Sequence, residues 1–234
     1  MNAQETLRQL ERFGTPQIKK ILMLHGAREP LYGVKIADLK KVQKSVKVDH
    51  ALALALFETG NYDAMYLAGL IADDTQMSKK DLQNWADRAY AGISEYTVPW
   101  VASQGRHGFD IGRKWIGSKK DNVAAAGWHT LACVAALTSD EELDIPAYSS
   151  LLDQVAATIH RAPNRARRAM NAFIASTGGY ILPLTAKALS TAKKVGPVTI
   201  DESGTSSRLT PADVMIGKMK ARRVLGKKRA MVKC

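Results

Sequence analysis

Apolar residues recur three and four positions apart along nearly the whole chain, and runs that alternate apolar with polar residues are almost absent. A spacing of three and four gathers side chains on one stripe of an α-helix, whereas a strand needs a spacing of two. The pattern predicts an all-α architecture. Helices are predicted over residues 3–13, 16–25, 36–46, 50–58, 62–72, 79–90, 96–106, 110–115, 121–137, 147–161, 164–176 and 182–195. Turn signals separate them at Gly14-Thr15-Pro16, Gly60-Asn61, Thr138-Ser139-Asp140, Ala162-Pro163-Asn164 and Gly178-Gly179. Short helices on short turns point to stacked helical pairs rather than a four-helix bundle, although no crisp internal repeat is visible. The character changes after Gly196, dividing the chain into a helical domain (1–195), a linker (196–210) and a last segment (211–234). A short extended piece is expected at 198–200, and a short helix over 211–223 leads into a basic tail whose final residues are expected to be mobile without a partner.

The charge names a class of partner. At 46% apolar content the 234 residues can bury a sizeable core, and the net charge of +12 with a pI near 9.7 implies a polyanion, foremost nucleic acid. Eight cations and no acidic residue follow Asp213, so the rest of the chain carries only +4, and a binding face there has to come from clustering. Cys133 and Cys234 provide neither a disulfide framework nor zinc-ligand spacing, which suits a reducing compartment. No metal cluster, Gly-rich phosphate loop or cofactor motif is present, so no metal or cofactor is expected. The polar N-terminus lacks the apolar core of a signal peptide, and no stretch approaches the roughly 18 apolar residues of a membrane span. A soluble, cytoplasmic, monomeric protein without a membrane partner is expected.

The most suggestive local pattern is Trp100 followed by Gln104, which places an indole and a neutral amide on one helical face. Such a pair suits a nucleobase or a sugar, but an amide cannot stabilise a developing cation as a carboxylate can. Pro99 lacks an N–H and should begin or kink that helix. Arg113 and Lys114 lie close in sequence, and Trp128 is a second candidate aromatic; either indole can equally be a packing residue. Arg165 and Arg168 share a face of their helix, Arg161 precedes it, and its N-terminus is a candidate phosphate site. Lys227, Lys228 and Arg229 in the tail would add salt-sensitive attraction without sequence specificity.

The segments GVKIADLKKVQKSV (33–46) and LALALFETGNYDAMYLAGLIAD (52–73), the Trp100 region and the helices after it together resemble the AlkD-type DNA alkylation repair family. The similarity spans most of residues 1–195. The IHRAPNRARRAMNAFI stretch with its GKKR-type tail resembles a divergent sub-branch. The resemblance implies a right-handed α-solenoid of HEAT-like repeats whose concave basic face embraces double-stranded DNA, damaged or distorted, and a possible glycosylase activity on alkylated purines. In active members a Trp precedes a catalytic Asp by four positions, and a second Trp and an Arg complete the cleft. Trp100 matches the first Trp, and Gln104 occupies the position of the Asp. Met170, Asn171 and Phe173 stand where the second Trp is expected, and no Arg accompanies Trp128. Catalysis would then fall to Gln104 holding a water or to Asp110 as a substitute carboxylate. The alternatives are a noncatalytic binder of damaged or branched DNA and a scaffold for an acidic protein.

Overall fold

The computed structural model describes residues 1–201 and 209–234, and all regular structure among them is helical. The helices are α1 (Ala3–Phe13), α2 (Pro16–Leu24), α3 (Ile36–Val46), α4 (His50–Glu58), α5 (Tyr62–Ile71), α6 (Lys79–Arg88), α7 (Val98–Gln104), α8 (Gly108–Trp115), α9 (Asp121–Leu137), α10 (Ile145–Thr158), α11 (Asn164–Tyr180), α12 (Thr185–Val195) and α13 (Ala212–Ala221). Several start where the sequence supplies an oxygen for the unpaired N–H groups of a first turn. Asn2 with Glu5 and Ser78 with Asp81 form capping boxes, and Asp49, Asn61 and Asp144 each accept a backbone N–H.

Consecutive helices pair as α4 with α5, α6 with α7, α8 with α9, and α10 with α11. The second members form an inner row in which α5, α7, α9 and α11 pack each on the next; the first members form an outer row. Neighbour-on-neighbour packing of this kind makes a solenoid. Two apolar clusters fill it and meet at α9, one anchored by Phe57 stacked on Trp85 at 4.1 Å, the other by Tyr148 stacked on Phe173 at 5.7 Å.

The GVKIADLKK segment has a local cause. Gly33 takes a φ of +81°, open to glycine, and a Cβ there would lie 2.4 Å from the Lys19 nitrogen. That turn aims the N–H groups of Tyr32, Gly33 and Val34 at the buried Asp63 carboxylate, over 2.6, 3.1 and 2.9 Å. Three backbone donors thus satisfy the buried carboxylate.

Gly178-Gly179 is not the turn that its sequence suggests. Both glycines lie within α11, because α13 packs against them: a Cβ on Gly178 would sit 2.5 Å from Ile216 Cδ1 and 2.7 Å from Ala188 Cβ. The expected extended piece at 198–200 has no strand partner either. Asn164 instead exchanges two hydrogen bonds with the backbone of Asp201, at 2.8 and 2.7 Å, and Arg167 donates to the Thr199 carbonyl at 2.7 Å. Seven residues on, Asn171 donates to the Thr210 carbonyl at 2.9 Å and accepts from the Ala212 N–H at 3.1 Å. The rest of the predicted linker, 202–208, lies outside the described residues.

Candidate nucleic-acid interface

Helix α7 does not begin where periodicity predicts. Residues Ile93–Thr97 form a π-helical turn, with the Val98 N–H on the Ile93 carbonyl, and Pro99 follows in the first turn of α7. Proline cannot donate to the carbonyl four residues back, so the chain is freed from α-helical register at this point. The wider turn brings Glu95, Tyr96 and Trp100 together on one groove. The groove encloses about 1010 Å³, its floor drawn from α7, α9 and α11. Its wall is α13 and the tail, with Lys218, Arg222, Lys227 and Arg229 exposed along it.

Trp100 belongs to this groove but is only 7% exposed, held by Tyr66 edge-on at 5.5 Å and by Tyr96 at 5.9 Å. The most exposed aromatic lining the groove is Tyr96, at 48% exposure. The sequence places it on the predicted helix without distinguishing it from packing residues.

The tail is docked, contrary to the expectation of mobility. It crosses the C-terminal ends of the inner helices in reverse chain order. The Gly226 N–H donates to the Gly179 carbonyl at 2.8 Å and the Arg229 N–H to the Ala136 carbonyl at 2.8 Å. Lys228 Nζ reaches the Ala135 carbonyl at 3.0 Å, and Lys233 Nζ the Ala72 carbonyl at 3.1 Å. The last carbonyls of a helix have no intrahelical partner and carry the negative end of its dipole, so a basic segment laid across a row of them satisfies both conditions. Two ion pairs reinforce it, Lys228 with Asp140 and Lys233 with Asp74, each at 2.8 Å. Val232 is buried in the first cluster, and the Cys234 sulfur lies 3.4 Å from the Tyr66 hydroxyl.

Gln104 is part of this clamp. Its amide nitrogen donates to Asp74 Oδ2 at 2.7 Å and its oxygen accepts the Val232 N–H at 3.2 Å. Burial raises the Asp74 carboxyl pKa, opposed by the Lys233 ammonium and the Gln104 amide. Lys233, at 8% side-chain exposure, is not free for a polyanion.

The other predicted residues divide. Asp110 is exposed on outer helix α8, 3.8 Å from Lys79, and does not line the Trp100 groove, so it offers no substitute carboxylate there. Arg113 and Lys114 are also on α8, Arg113 beside the Phe109 ring and Lys114 donating to Gln83 at 3.0 Å, away from the groove lining. Trp128 is a core residue, 2% exposed with its ring edge-on to Phe173 at 5.0 Å. Phe173 and Met170 are buried as well, so the second cleft indole has no replacement among them. Arg161 is exposed and donates to the Ala157 carbonyl at 3.2 Å. The proposed phosphate site at the start of α11 is taken by Asp121, which accepts the N–H groups of Arg165 and Ala166 at 3.1 and 2.8 Å. The Arg165 guanidinium pairs with Glu95 at 2.7 Å. Arg168 does face the groove, as do Lys227, Lys228 and Arg229.

Glu95 and His129 also line the groove, although no sequence signal singles them out. Glu95 is the sole carboxylate among the described residues lining the Trp100 groove, and Arg165 offsets its charge. Burial lowers the His129 imidazole pKa, Glu95 opposing that shift and Arg168 adding to it. Its Nε2 is buried without a hydrogen-bond partner. Among the described residues no group of three or more His, Cys, Asp or Glu is placed to hold a metal ion, and no helix is long and apolar enough to cross a membrane.

An inner row of helices bearing an aromatic and cationic groove defines a HEAT-like α-solenoid related in form to DNA glycosylases. A solved structure described as "a new family of proteins related to the HEAT-like repeat DNA glycosylases with affinity for branched DNA structures" superposes with a TM-score of 0.92, at 36% identity over 100% of both chains. The chain belongs to the DNA alkylation repair enzyme family, whose model matches residues 6–204. It is also 30% identical to Lin0241 of Listeria innocua and 29% identical to Lmo0209 of Listeria monocytogenes, in each case over 92% of this chain and 95% of the relative.

Proposed function

We propose that this protein binds branched DNA in its concave groove and does not release bases from it. The observation that carries this reading is the commitment of Gln104. At the position where the family's active members hold an Asp, both polar atoms of the amide are engaged by Asp74 and Val232. Glu95, the carboxylate among the described residues lining the groove, is neutralised by Arg165, which leaves no unpaired negative charge among those residues to stabilise a sugar cation. The exposed cations on the groove wall and the exposed Tyr96 are suited to backbone neutralisation and base stacking, and the affinity described for the solved relative supports branched structures as the ligand.

The test compares a labelled four-way junction with a duplex of equal length by fluorescence anisotropy over a salt series. Four exposed wall cations engaging phosphates give a slope of log Kobs against log salt of about −3 to −4. Equal affinity for duplex and junction would count against branch recognition. Release of methylated purines above the spontaneous rate from alkylated duplex would overturn the noncatalytic reading.

A further inference from the structure

The groove shares part of its lining with another space. This second cavity, of about 460 Å³, opens between the end of α2 and the start of α11, and Glu95, Tyr96 and Arg168 line both spaces. Its two sides differ in chemistry. Leu24 and Ile36, 47% and 48% exposed, form an apolar wall with Val34. Tyr62, Tyr66 and Tyr96 form the aromatic wall. The lining also holds Arg165 and Arg168 and three carboxylates, Asp63, Asp201 and Glu95, the last paired with Arg165 at 2.7 Å. Gly26 keeps the mouth clear, because a Cβ there would lie 2.6 Å from the Arg165 guanidinium.

An apolar wall facing an aromatic wall suits a flat heterocycle. Nearly half of Leu24, Ile36 and Tyr96 faces solvent, although single domains usually cover large apolar side chains arranged around a concavity. The volume lies at the small end of the range of about 300–1,000 Å³ over which proteins enclose small organic groups. A base inside a duplex is stacked on both faces and cannot reach such a space without leaving the helix. Unpaired nucleotides occur where strands bulge, and the cavity shares Glu95, Tyr96 and Arg168 with the groove that would hold the adjoining backbone.

We infer that this cavity receives one unpaired nucleotide of the bound DNA, its base stacked on Tyr96. The inference rests on the DNA-binding reading above and adds the structural element that is read. Tyr96 is the positioning aromatic. Its ring, not its hydroxyl, supplies the contact, since stacking on an aromatic face tolerates any base.

The experiment uses two duplexes, each with a one-nucleotide bulge, one carrying adenine and the other an abasic tetrahydrofuran, with the four-way junction as the reference ligand. Wild-type protein is expected to bind the adenine bulge about 5- to 100-fold more tightly than the abasic bulge. Tyr96→Ala is expected to bring that ratio close to one, whereas Tyr96→Phe retains it. Leu24→Trp, which fills the cavity from an exposed position, checks the same loss independently of the ring. Junction binding with equal affinity for the two bulges in the wild type would overturn the nucleotide pocket and leave branch binding standing. Absence of binding to any of the three DNAs at low salt would overturn both.

Discussion

Replacing Gln104 by Ala isolates what the amide does. The substitution removes a donor to the Asp74 carboxylate at 2.7 Å and an acceptor for the Val232 N–H at 3.2 Å. A hydrogen bond to a charged group contributes about 1.5–3 kcal/mol and a neutral one about 0.5–1.5 kcal/mol, so tail docking should weaken by about 2–4 kcal/mol. Lys233 remains paired with Asp74 in the variant, which favours the lower half of that range. The natural reporters are the amides of Gly226 and Arg229, whose acceptors, Gly179 and Ala136, are untouched. If the tail opens as a unit, their native-state hydrogen-exchange protection falls by about 30- to 1,000-fold, while amides in the middle of α9 keep theirs. Unchanged protection at Arg229 would refute the assignment of Gln104 as a clamp. Gln104→Asp extends the test, since it places a second carboxylate toward Asp74 and should also loosen the tail rather than create a base-releasing enzyme. Purine release by that variant with the tail still protected would mean that the groove kept its catalytic geometry.

Further outcomes are expected elsewhere. Gly178→Ala forces a methyl against Ile216 and Ala188, and overpacking of about 1–3 kcal/mol should lower the melting temperature by several degrees despite the better helix propensity of alanine; an unchanged melt would show that α13 adjusts freely. Asp121→Ala removes the cap of α11, costing about 0.5–2 kcal/mol in urea unfolding while leaving the salt slope of DNA binding unaltered, and a changed slope would restore the helix start as a phosphate site. His129 has a folded pKa below its ordinary value of 6.5, so its contribution is complete above that value and is lost as pH falls toward the folded pKa. Wild type should therefore lose stability relative to His129→Leu between about pH 7.5 and 5.5, and parallel urea midpoints would contradict the desolvated imidazole. Burial pushes the Cys133 thiol up to about 12, so iodoacetamide near neutral pH should modify the exposed Cys234 and spare Cys133, as peptide mass spectrometry would reveal.

Helix periodicity carried the fold well, because local apolar spacing reports on which face of each helix is buried. It failed where spacing was overruled by a neighbour. Gly178 and Gly179 read as a turn but serve close packing by α13, a contact more than 30 residues away in sequence. The π turn was hidden because the 93–97 residues have no unusual composition and only Pro99 hints at a break. At the groove, Trp100 was legible as an aromatic on the right helix, yet Trp128 looks alike in sequence and lies in the core. The tail's charge was legible, but its destination was not. A run of lysines and arginines looks the same whether it faces a polyanion or the carbonyl ends of its own helices, and Lys228 and Lys233 do the latter. Gln104 and Asp74 are 30 positions apart, so nothing local announced that they share a clamp.

The segment that runs from Gly226 to Cys234 also has a mechanical consequence. A stack of helical repeats bends like a spring, because each layer pivots only on its neighbours. Here a bowstring is tied across the inner edge, with attachments at α11, α9, α7 and the end of α5. Widening the arc requires those ties to be broken or stretched, so the curvature presented to a ligand is set by the length of the string as well as by the packing of the layers. Pulled from its two ends, the molecule should resist until the string parts and only then extend layer by layer.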